Sequence, residues 1–397
     1  MMMESIRELY KVGRGPSSSH TIGPQRICER VKETYHGDHY KVILYGSLSF
    51  TGKGHLTDLV IKDILGSVDI EFSRDLTVEH PNTMDVLVYK NQQEIARERY
   101  YSIGGGSVLK KGETLRKEYV VYPHQTFSEV RAYCEKENIR LYEYVYRFED
   151  EHIKDFLNEI WLVMKESINQ GLHTEGVLPG KLKVKRKARS LLYNQNLKST
   201  HELRLISAYA YAVSEMNASS GVVVTAPTCG ASGVLPSVLY YLRDIHKFSD
   251  QRIIDALATA GLVGNIVKHN ASISGAEAGC QAEVGTACSM AAAAYSELYN
   301  SDLDVIEYAA EIALEHHLGL TCDPVRGYVQ IPCIERNAVA AHRAINASEL
   351  AFLLMGSRKI SFDTVVRTMM ETGKDMHDFY RETSMGGLAK YYESIDE

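Results

Sequence analysis

The chain has 397 residues, of which 45% are hydrophobic and 24% are charged, a balance typical of globular proteins. At roughly 100–200 residues per domain, this length predicts two domains. The net charge of −7 argues against nucleic acid or an anionic membrane as the main partner. No apolar run approaches the roughly 20 residues that span a bilayer, and charges enter the first eight positions too early for a signal peptide, so we expect a soluble cytoplasmic protein.

Residues 1–147 predict a mixed α/β domain. Alternating β-branched and aromatic residues predict three strands, at residues 40–50, 83–91 and 98–113. The glycines at 104–106 are expected to break the third of these strands. Helical spacing appears at Thr57–Leu65, with Thr57 as the expected N-cap, and again after Thr126, the expected N-cap of the next helix.

Residues 148–397 predict a larger, all-helical domain, so the fold class expected for the whole chain is α+β. Apolar residues recur at helical spacing in seven segments: 150–172, 202–216, 250–266, 285–299, 303–318, 337–355 and 361–372. Glycine-rich turns separate these helices and carry most of the cysteines. Because functional residues usually lie on loops held by a rigid scaffold, these turns are candidates for the site.

Five of the seven cysteines lie between residues 229 and 333. Disulfides are not expected in a cytoplasmic protein, and neither the C-x2-C pairs of zinc sites nor ferredoxin spacing is present. Two alternatives remain: thiols that only pack in the core, or thiols from separate loops that meet around an iron–sulfur cluster with one iron open. For the second alternative, spacing favours Cys280, Cys322 and Cys333 over Cys288, which begins an alanine-rich helix.

The segment GRGPSSSHTIGP, residues 13–24, combines glycines with hydroxyl groups and a histidine. It matches neither the phosphate-binding loop nor the dinucleotide-binding fingerprint. A small anionic group such as a carboxylate would suit it, and the alternative is ordinary capping of a helix by serine. The residues concerned are Ser17, Ser18, Ser19 and His20.

Two further stretches carry polar groups that could belong to a site. GKGHLTD, residues 52–58, places His55, Thr57 and Asp58 on a turn, where a lone histidine is usually a surface residue. Glu277 and Glu283 flank Cys280. Such a carboxylate could bind a substrate ammonium group or orient a thiolate, and the alternative is a glutamate that faces solvent.

Together, the motifs resemble the bacterial iron–sulfur-dependent L-serine dehydratases. The similar stretches run in order from near residue 10 to near residue 390: GPSSSHTIGP, YGSLSFTGKGHLTD, YYSIGGG, HTEGVLPG, TAPTCGASG, ISGAEAGCQAEVG, CDPVRGYVQIPCIERNA and ETSMGGLA. The resemblance implies a β domain and an all-helical domain with an oxygen-sensitive 4Fe–4S cluster, in a homodimer that converts L-serine to pyruvate and ammonia. It implies cluster ligands at Cys280, Cys322 and Cys333, and site histidines at His20 and His55.

The chemistry of serine dehydration leads to hypotheses for the roles of the polar loops. His20 or His55 would act as the base or proton carrier, and Asp58 would orient His55. The substrate carboxylate would be held by hydroxyls, and its ammonium group would contact Glu277. The hydroxyl residues expected to hold the carboxylate are Ser17, Ser18, Ser19 and Thr57. The first half is similar, in addition, to a small-molecule-binding domain of some phosphoglycerate dehydrogenases, which implies a further ligand role there.

The chain departs from the family pattern at two places. Its C-terminus, GGLAKYYESIDE, lacks the cysteine with which relatives cap their own site, although Asp396 or Glu397 could approach the iron through oxygen. Cys229 stands where many relatives carry a residue without a thiol, either as a further contact to the cluster or as a small buried side chain.

Two other functions compete with the cluster-dependent lyase. A pyridoxal-phosphate dehydratase would need a Schiff-base lysine and a phosphate-binding glycine loop, for which Lys268 and Gly104–Gly106 are the only suggestive elements. A non-catalytic regulator would bind a small ligand in the first domain and carry a redox-sensing cluster. The intact cysteine and histidine motifs argue against lost catalysis.

Overall fold

The computed structural model describes residues 2–75, 77–113, 120–194 and 200–393. The strands are β1 (Met3–Glu4), β2 (Val12–Arg14), β3 (His39–Leu44), β4 (Val68–Phe72), β5 (Thr83–Lys90), β6 (Gln93–Ser102), β7 (Val108–Lys110), β8 (Val120–Tyr122) and β9 (Val222–Val224).

The α-helices are α1 (Gly23–Tyr35), α2 (Gly46–Thr51), α3 (Thr57–Leu65), α4 (Phe127–Glu137), α5 (Leu141–Phe148), α6 (Ile153–His173), α7 (Ala188–Tyr193), α8 (His201–Ala218), α9 (Val234–Ile245), α10 (Asp250–Asn270), α11 (Gly275–Ala278), α12 (Thr286–Leu298), α13 (Leu303–Glu315), α14 (Cys333–Leu353), α15 (Phe362–Asp375) and α16 (Gly387–Tyr391). Within the described ranges, none of these helices has the length and apolar character needed to cross a membrane.

A five-stranded sheet forms the smaller unit, with strand order β4-β3-β5-β6-β7. Strands β3 and β4 are parallel, and the other neighbours are antiparallel. Helices α1 and α3 pack together against this sheet. They share one hydrophobic core with it, in which side chains such as Ile27, Val42 and Val86 are fully buried. Met84, Val86 and Val88 of β5 belong to this core, and the residues between them on the other face of the strand are buried as well.

The larger core belongs to the helices, and it also takes in the start of the chain. Leu9 and Tyr10 are buried among α-helical residues, and the Tyr10 hydroxyl donates to Leu257 O at 2.9 Å. Strand β2 pairs with β9 of the helical region. Helices α4 and α5 also contribute to this core. The division of the chain at residue 147 stays a prediction, but the packing assigns the elements from β8 to α5 to the larger core.

Comparison with the sequence-based expectations confirms the α+β class, with a sheet-containing first part and a larger helical region. Each of the seven predicted helical segments overlaps a helix of the structure. Thr126 caps α4 as expected, and its hydroxyl accepts a hydrogen bond from Glu129 N. Periodicity was sufficient here because each helix buries one continuous apolar face or lies wholly in the core.

Two local predictions were wrong. The strand expected at 40–50 ends at Leu44, because Gly46 adopts a φ of 52° and the chain then forms α2. The N-cap of α3 is Leu56 rather than Thr57, which is the first helical residue. The Thr57 hydroxyl instead donates to His20 O at 2.5 Å, so a contact between two loops replaced the local cap.

Close packing of α6 on α8 predicts a stability difference between two glycine substitutions. A Cβ added at Gly171 would lie 2.3 Å from the backbone oxygen of Ala212, whereas one at Gly264 would meet the side-chain ends of Leu9 and Met290 at 2.7 Å. Gly171→Ala should lower the free energy of unfolding by about 1–3 kcal/mol, because helix backbones must separate. The control Gly264→Ala should cost less in urea denaturation, since side-chain ends can rotate and alanine favours a helix by about 1 kcal/mol. Equal losses would show that backbone contact between α6 and α8 does not set the cost.

Candidate active site

Three cysteines from separate loops lie together at the start of α14. Cys333 is the first residue of this helix. Cys280 follows Gly279, whose φ of 76° turns the chain out of α11. The neighbouring Cys322 thiol is the main cause of the lowered pKa of Cys280. Burial raises the pKa of Cys333, and the nearby Cys280 raises it further, so all three sulfurs share one environment.

Arg336 provides the positive charge of this environment. It stands one helical turn after Cys333 on α14 and is mostly buried. Its guanidinium donates to Thr321 O at 2.6 Å and to Asp323 Oδ1 at 3.0 Å. Burial opposes its charge, but the charges of Cys280, Cys333 and Asp323 outweigh burial and raise the pKa of Arg336. The same guanidinium helps to lower the pKa of Cys280, so it favours a thiolate there.

Glu283 approaches the sulfurs from the turn after Cys280. Its Oε2 atom lies 3.9 Å from Cys322 Sγ, and burial raises the pKa of its carboxyl group. The backbone of Gly275 passes close by: a Cβ at this position would lie 2.6 Å from Glu283 Oε2 and 3.2 Å from Cys322 Sγ. Only glycine leaves this space open beside the thiol.

Cys322 is joined to the C-terminal segment by backbone pairing. Cys322 N donates to Tyr380 O at 2.7 Å, and Glu382 N donates to Cys322 O at 2.8 Å. A second link comes from Asp323, whose Oδ2 accepts from Leu388 N at 2.7 Å. These bonds hold the side chain of Glu382, which is 5% exposed, between the cysteines and the sheet unit.

Glu382 in turn contacts the two histidines predicted from the sequence. Its Oε1 lies 3.5 Å from His20 Nδ1 and 3.8 Å from His55 Nε2. The two imidazole rings are 4.5 Å apart between centroids, and both are buried. One ligand-type atom from each of the three residues lies within 4.8 Å of the other two. The glutamate therefore joins the histidine pair to the thiol environment.

Hydrogen bonds assign the tautomer of each histidine. His55 Nδ1 lies 3.1 Å from Thr51 O, which can only accept, so this nitrogen carries the proton. The Ser47 hydroxyl donates to Glu382 O at 2.9 Å, and its oxygen therefore accepts from His20 Nε2 at 3.0 Å. In the neutral state, the unprotonated nitrogens are His20 Nδ1 and His55 Nε2, and both face Glu382.

Burial keeps these histidines neutral. The pKa of His20 is held well below its ordinary value by burial and by the proximity of His55. Burial also lowers the pKa of His55, to about 4. Burial and the charge of Glu283 raise the pKa of Glu382 well above its ordinary value. Both rings therefore present a lone pair at neutral pH, as a general base requires.

Most of the predicted hydroxyl residues lie around His20. Ser17 caps the π-helical turn Ser18–Ile22 and its hydroxyl accepts from His20 N at 3.1 Å. The Ser19 hydroxyl is 2.9 Å from His20 Nδ1. Ser18 is 3% exposed, and its hydroxyl forms no side-chain hydrogen bond with the described part of the chain. Thr57 reaches His20 O, as described above.

The roles expected for Asp58 and Glu277 do not match their contacts. Asp58 is half-buried and has no side-chain partner among the described residues, while His55 pairs with Thr51 O and Glu382. Asp58 therefore does not orient His55 in this structure. Glu277 bonds to Ser272 and lies 3.7 Å from His80, between the sheet unit and α11. A role for either residue in substrate binding stays a prediction.

Other candidates from the sequence lie at the edge of the site or outside it. Cys229 is buried, and the charge of Glu283 adds to burial in raising the pKa of its thiol. Cys288 donates to Ala340 O at 3.2 Å and packs α12 on α14. Lys268 forms an ion pair with Glu4 at 2.7 Å, so it is engaged elsewhere. Asp396 and Glu397 lie outside the described residues.

The chemistry of the donor set fits an iron–sulfur cluster. All seven cysteines are free, and three of them converge from three loops. Arg336 offsets part of the negative charge that three thiolates would bring. Soft thiolate ligands select iron–sulfur clusters or other soft metals. With three protein ligands, one iron of a four-iron cluster would lack a protein ligand.

Three residues of the site were not identified from the sequence: Ser47, Arg336 and Glu382. All three stand inside stretches that carried the family resemblance. A signal for Glu382 existed in the motif ETSMGGLA, which contains no cysteine or histidine and so suggested no chemistry. Its role depends on backbone pairing with Cys322, which lies sixty residues earlier in the chain. The spacing of residue types in the sequence does not indicate such a pairing.

Comparison with known proteins gives matches over almost the whole chain. The family model described as "Serine dehydratase beta chain" matches residues 5–68, and "Serine dehydratase alpha chain" matches residues 75–389. L-serine dehydratase of Haemophilus influenzae is 40% identical over 450 aligned positions, which cover 98% of this chain and 99% of the relative. L-serine dehydratase 1 of Escherichia coli is 39% identical (98% and 99% covered), and the Streptomyces coelicolor L-serine dehydratase is 38% identical with the same coverage.

The hydrogen bonds of Asp323 predict that this residue stabilises the C-terminal segment against local unfolding. Asp323→Asn removes a carboxylate that is 2% exposed and that accepts from both Arg336 and Leu388 N. Hydrogen bonds to charged groups contribute about 1.5–3 kcal/mol. Amide hydrogen exchange in residues 382–390 should therefore accelerate at least about tenfold. The control Asp375→Asn, at an exposed position without a side-chain partner among the described residues, should leave exchange unchanged, and unchanged exchange in both variants would contradict the assigned role.

Proposed function

The chain belongs to the serine dehydratase family, and from this premise we propose that it is a lyase that converts L-serine to pyruvate and ammonia with the help of a 4Fe–4S cluster. The observation that carries the proposal is the junction at Cys322 and Glu382, which joins three converging thiols to two neutral histidines. The homodimer implied by the resemblance and the cytoplasmic location expected from the composition stay predictions.

Cys280, Cys322 and Cys333 would hold the cluster. When bound, such a cluster supplies an open iron that acts as a Lewis acid toward a substrate oxygen. Arg336 stabilises the negative charge of the sulfur ligands, and its bond to Asp323 fixes its position. The pairing of Cys322 with Tyr380 and Glu382 keeps the ligand loop in register with the histidines.

Removal of the Cα proton falls to the histidine pair. Both rings present an unprotonated nitrogen toward Glu382, and each is held in its tautomer by a fixed hydrogen bond. A base that accepts the proton in the transition state contributes about 10²–10⁴-fold to the rate. Glu382 Oε1 lies 3.5–3.8 Å from both accepting nitrogens. A positive imidazolium at this distance favours the ionised form of Glu382, which in turn stabilises the imidazolium.

Binding of the serine carboxylate falls to the loop around His20. Ser18 has no side-chain partner among the described residues, so its hydroxyl is available, and the Ser17 and Ser19 hydroxyls lie within 3.3 Å of each other. Loss of the Cα proton and of the hydroxyl group gives aminoacrylate and water. Aminoacrylate tautomerises to the imine, which water hydrolyses to pyruvate and ammonia. Exclusion of bulk water by the buried site favours fixed placement of the substrate.

If the protein binds a 4Fe–4S cluster, its content of iron and sulfide should depend on the three thiols. Anaerobically purified protein should contain about four iron and four sulfide per chain and form pyruvate from L-serine. Exposure to air should abolish the activity. Cys280→Ser, Cys322→Ser and Cys333→Ser should each lower bound iron and sulfide. The control Cys288→Ser, at a thiol that only bonds Ala340 O, should retain both, and equal iron in all four variants would refute the ligand assignment.

If the histidine pair removes the Cα proton, replacement of each histidine in turn should show which of the two is the base. His20→Ala and His55→Ala should each lower kcat/KM for serine by at least about 100-fold. Exchange of the Cα proton with deuterated solvent identifies the base, since only the variant that lacks it loses exchange. His152→Ala, whose side chain is 72% exposed, is the control. Full activity in both site variants would remove the pair from the mechanism.

The lowered histidine pKa values predict the acid limb of the pH profile. A ring with a lowered pKa stays unprotonated as the pH falls, so the base keeps its lone pair well below the ordinary pKa of about 6.5. The kcat/KM for serine should therefore show no loss at pH 6.5 and should fall only as the pH approaches about 4, the pKa of His55. An acid limb centred near 6.5 would show that the base titrates as an exposed histidine does.

A further inference from the structure

The histidine pair and Glu382 have the geometry of a second metal site, distinct in its donors from the three thiols. Their three donor atoms, His20 Nδ1, His55 Nε2 and Glu382 Oε1, come from three separate segments and lie within 4.8 Å of one another. All three side chains are buried. Among the described residues this is the only group of at least three histidine, cysteine or acidic side chains in which the donor atoms approach so closely.

The tautomers make all three atoms acceptors. His55 Nδ1–H donates to Thr51 O, and His20 Nε2–H donates to the Ser47 hydroxyl oxygen, so the nitrogens that face Glu382 carry lone pairs. Histidine ligands of metals almost always donate their other ring N–H in this way, which fixes the ring for coordination.

The spacing of the donors agrees with a small divalent ion. Ligands at 2.0–2.1 Å from a tetrahedral zinc ion are about 3.3 Å apart. The observed separations from Glu382 Oε1 are 3.5 Å to His20 and 3.8 Å to His55, so small side-chain rotations would close the site. The Ser19 hydroxyl, 2.9 Å from His20 Nδ1, would turn away on binding. Two histidines and one glutamate are also a known donor set for zinc, with a fourth position open.

We propose that His20, His55 and Glu382 bind a divalent cation of the zinc class, and that the cation inhibits the enzyme by occupying the nitrogens that would accept the substrate proton. The inhibitory consequence rests on the proposed function, whereas binding of the ion does not. Cation and productive serine exclude each other, because a nitrogen that coordinates a metal has no lone pair for the Cα proton.

Zinc K-edge X-ray absorption of the anaerobically isolated protein tests the site without any substitution. With one equivalent of Zn²⁺, the expected first shell contains nitrogen and oxygen at about 2.0–2.1 Å, and iron in the same sample does not interfere. A sulfur shell at about 2.3 Å would place zinc on the cysteines and overturn the proposal. Failure to retain zinc after gel filtration would overturn it as well.

A matched pair of variants tests the ligand assignment. Glu382→Gln keeps the shape of the side chain and removes the anionic ligand, and it should weaken Zn²⁺ binding at least about tenfold in anaerobic equilibrium dialysis. Glu159→Gln, at an exposed position of α6, should leave the affinity unchanged. Equal affinities of both variants would overturn the proposal. If Glu382→Gln does not fold, His55→Gln takes its place with the same expected loss of zinc affinity. The absorption experiment uses the unsubstituted protein and still tests the site.

Steady-state assays separate this inference from the proposed function. If the protein forms pyruvate, Zn²⁺ should abolish the activity, a chelator selective for free zinc should restore it, and serine should raise the apparent Kd for zinc. Undiminished activity at saturating zinc would overturn the inhibitory role. If no pyruvate forms in the absence of zinc, the proposed function fails, while the absorption and dialysis measurements still decide whether the cation site exists.

Discussion

Two backbone hydrogen bonds connect the loop of Cys322 with the segment that carries Glu382, and the rest of the site depends on them. Cys322 N donates to Tyr380 O, and Glu382 N donates to Cys322 O. Through these bonds the thiols at the start of α14 are held at a fixed position relative to Glu382. Through the side chain of Glu382, the thiols are linked to the histidines of the sheet unit. Asp323 strengthens the link, because it binds Arg336 on one side and Leu388 N on the other.

Burial determines the chemistry at both ends of this link. Desolvation disfavours charge, so it keeps His20 and His55 neutral and raises the pKa of Glu382. Near the thiols the Arg336 guanidinium acts in the opposite sense and favours a negative sulfur at Cys280. Two neutral nitrogen bases and one thiol with a lowered pKa, that of Cys280, therefore lie in the same buried site.

The path of the chain explains how two units share a single site. The segment from Leu9 to Tyr10 is fixed in the helical core, β2 pairs with β9, and the loop that carries His20 follows directly. The sheet unit is thus anchored on the helical region immediately before its functional loop begins. The two family-model matches meet between residues 68 and 75, within the five-stranded sheet, which agrees with a functional unit that spans both parts of the chain.

The amino-acid sequence by itself determined the α+β class, the helices with clear apolar periodicity, and the cysteines and histidines of the site. It did not indicate helices α5 and α9 or the site residues Ser47, Arg336 and Glu382. Helical periodicity and the capping of α4 by Thr126 are local properties, and so is the identity of each cysteine and histidine. Tertiary structure decided which of these groups meet and what each one can do. The turn at Gly46, the partner of Thr57, and the position of Glu382 beside His20 and His55 follow from contacts between segments far apart in the chain. A sequence pattern does not encode such contacts, because the hydrogen bond or the burial that fixes them exists only once the two segments have packed together.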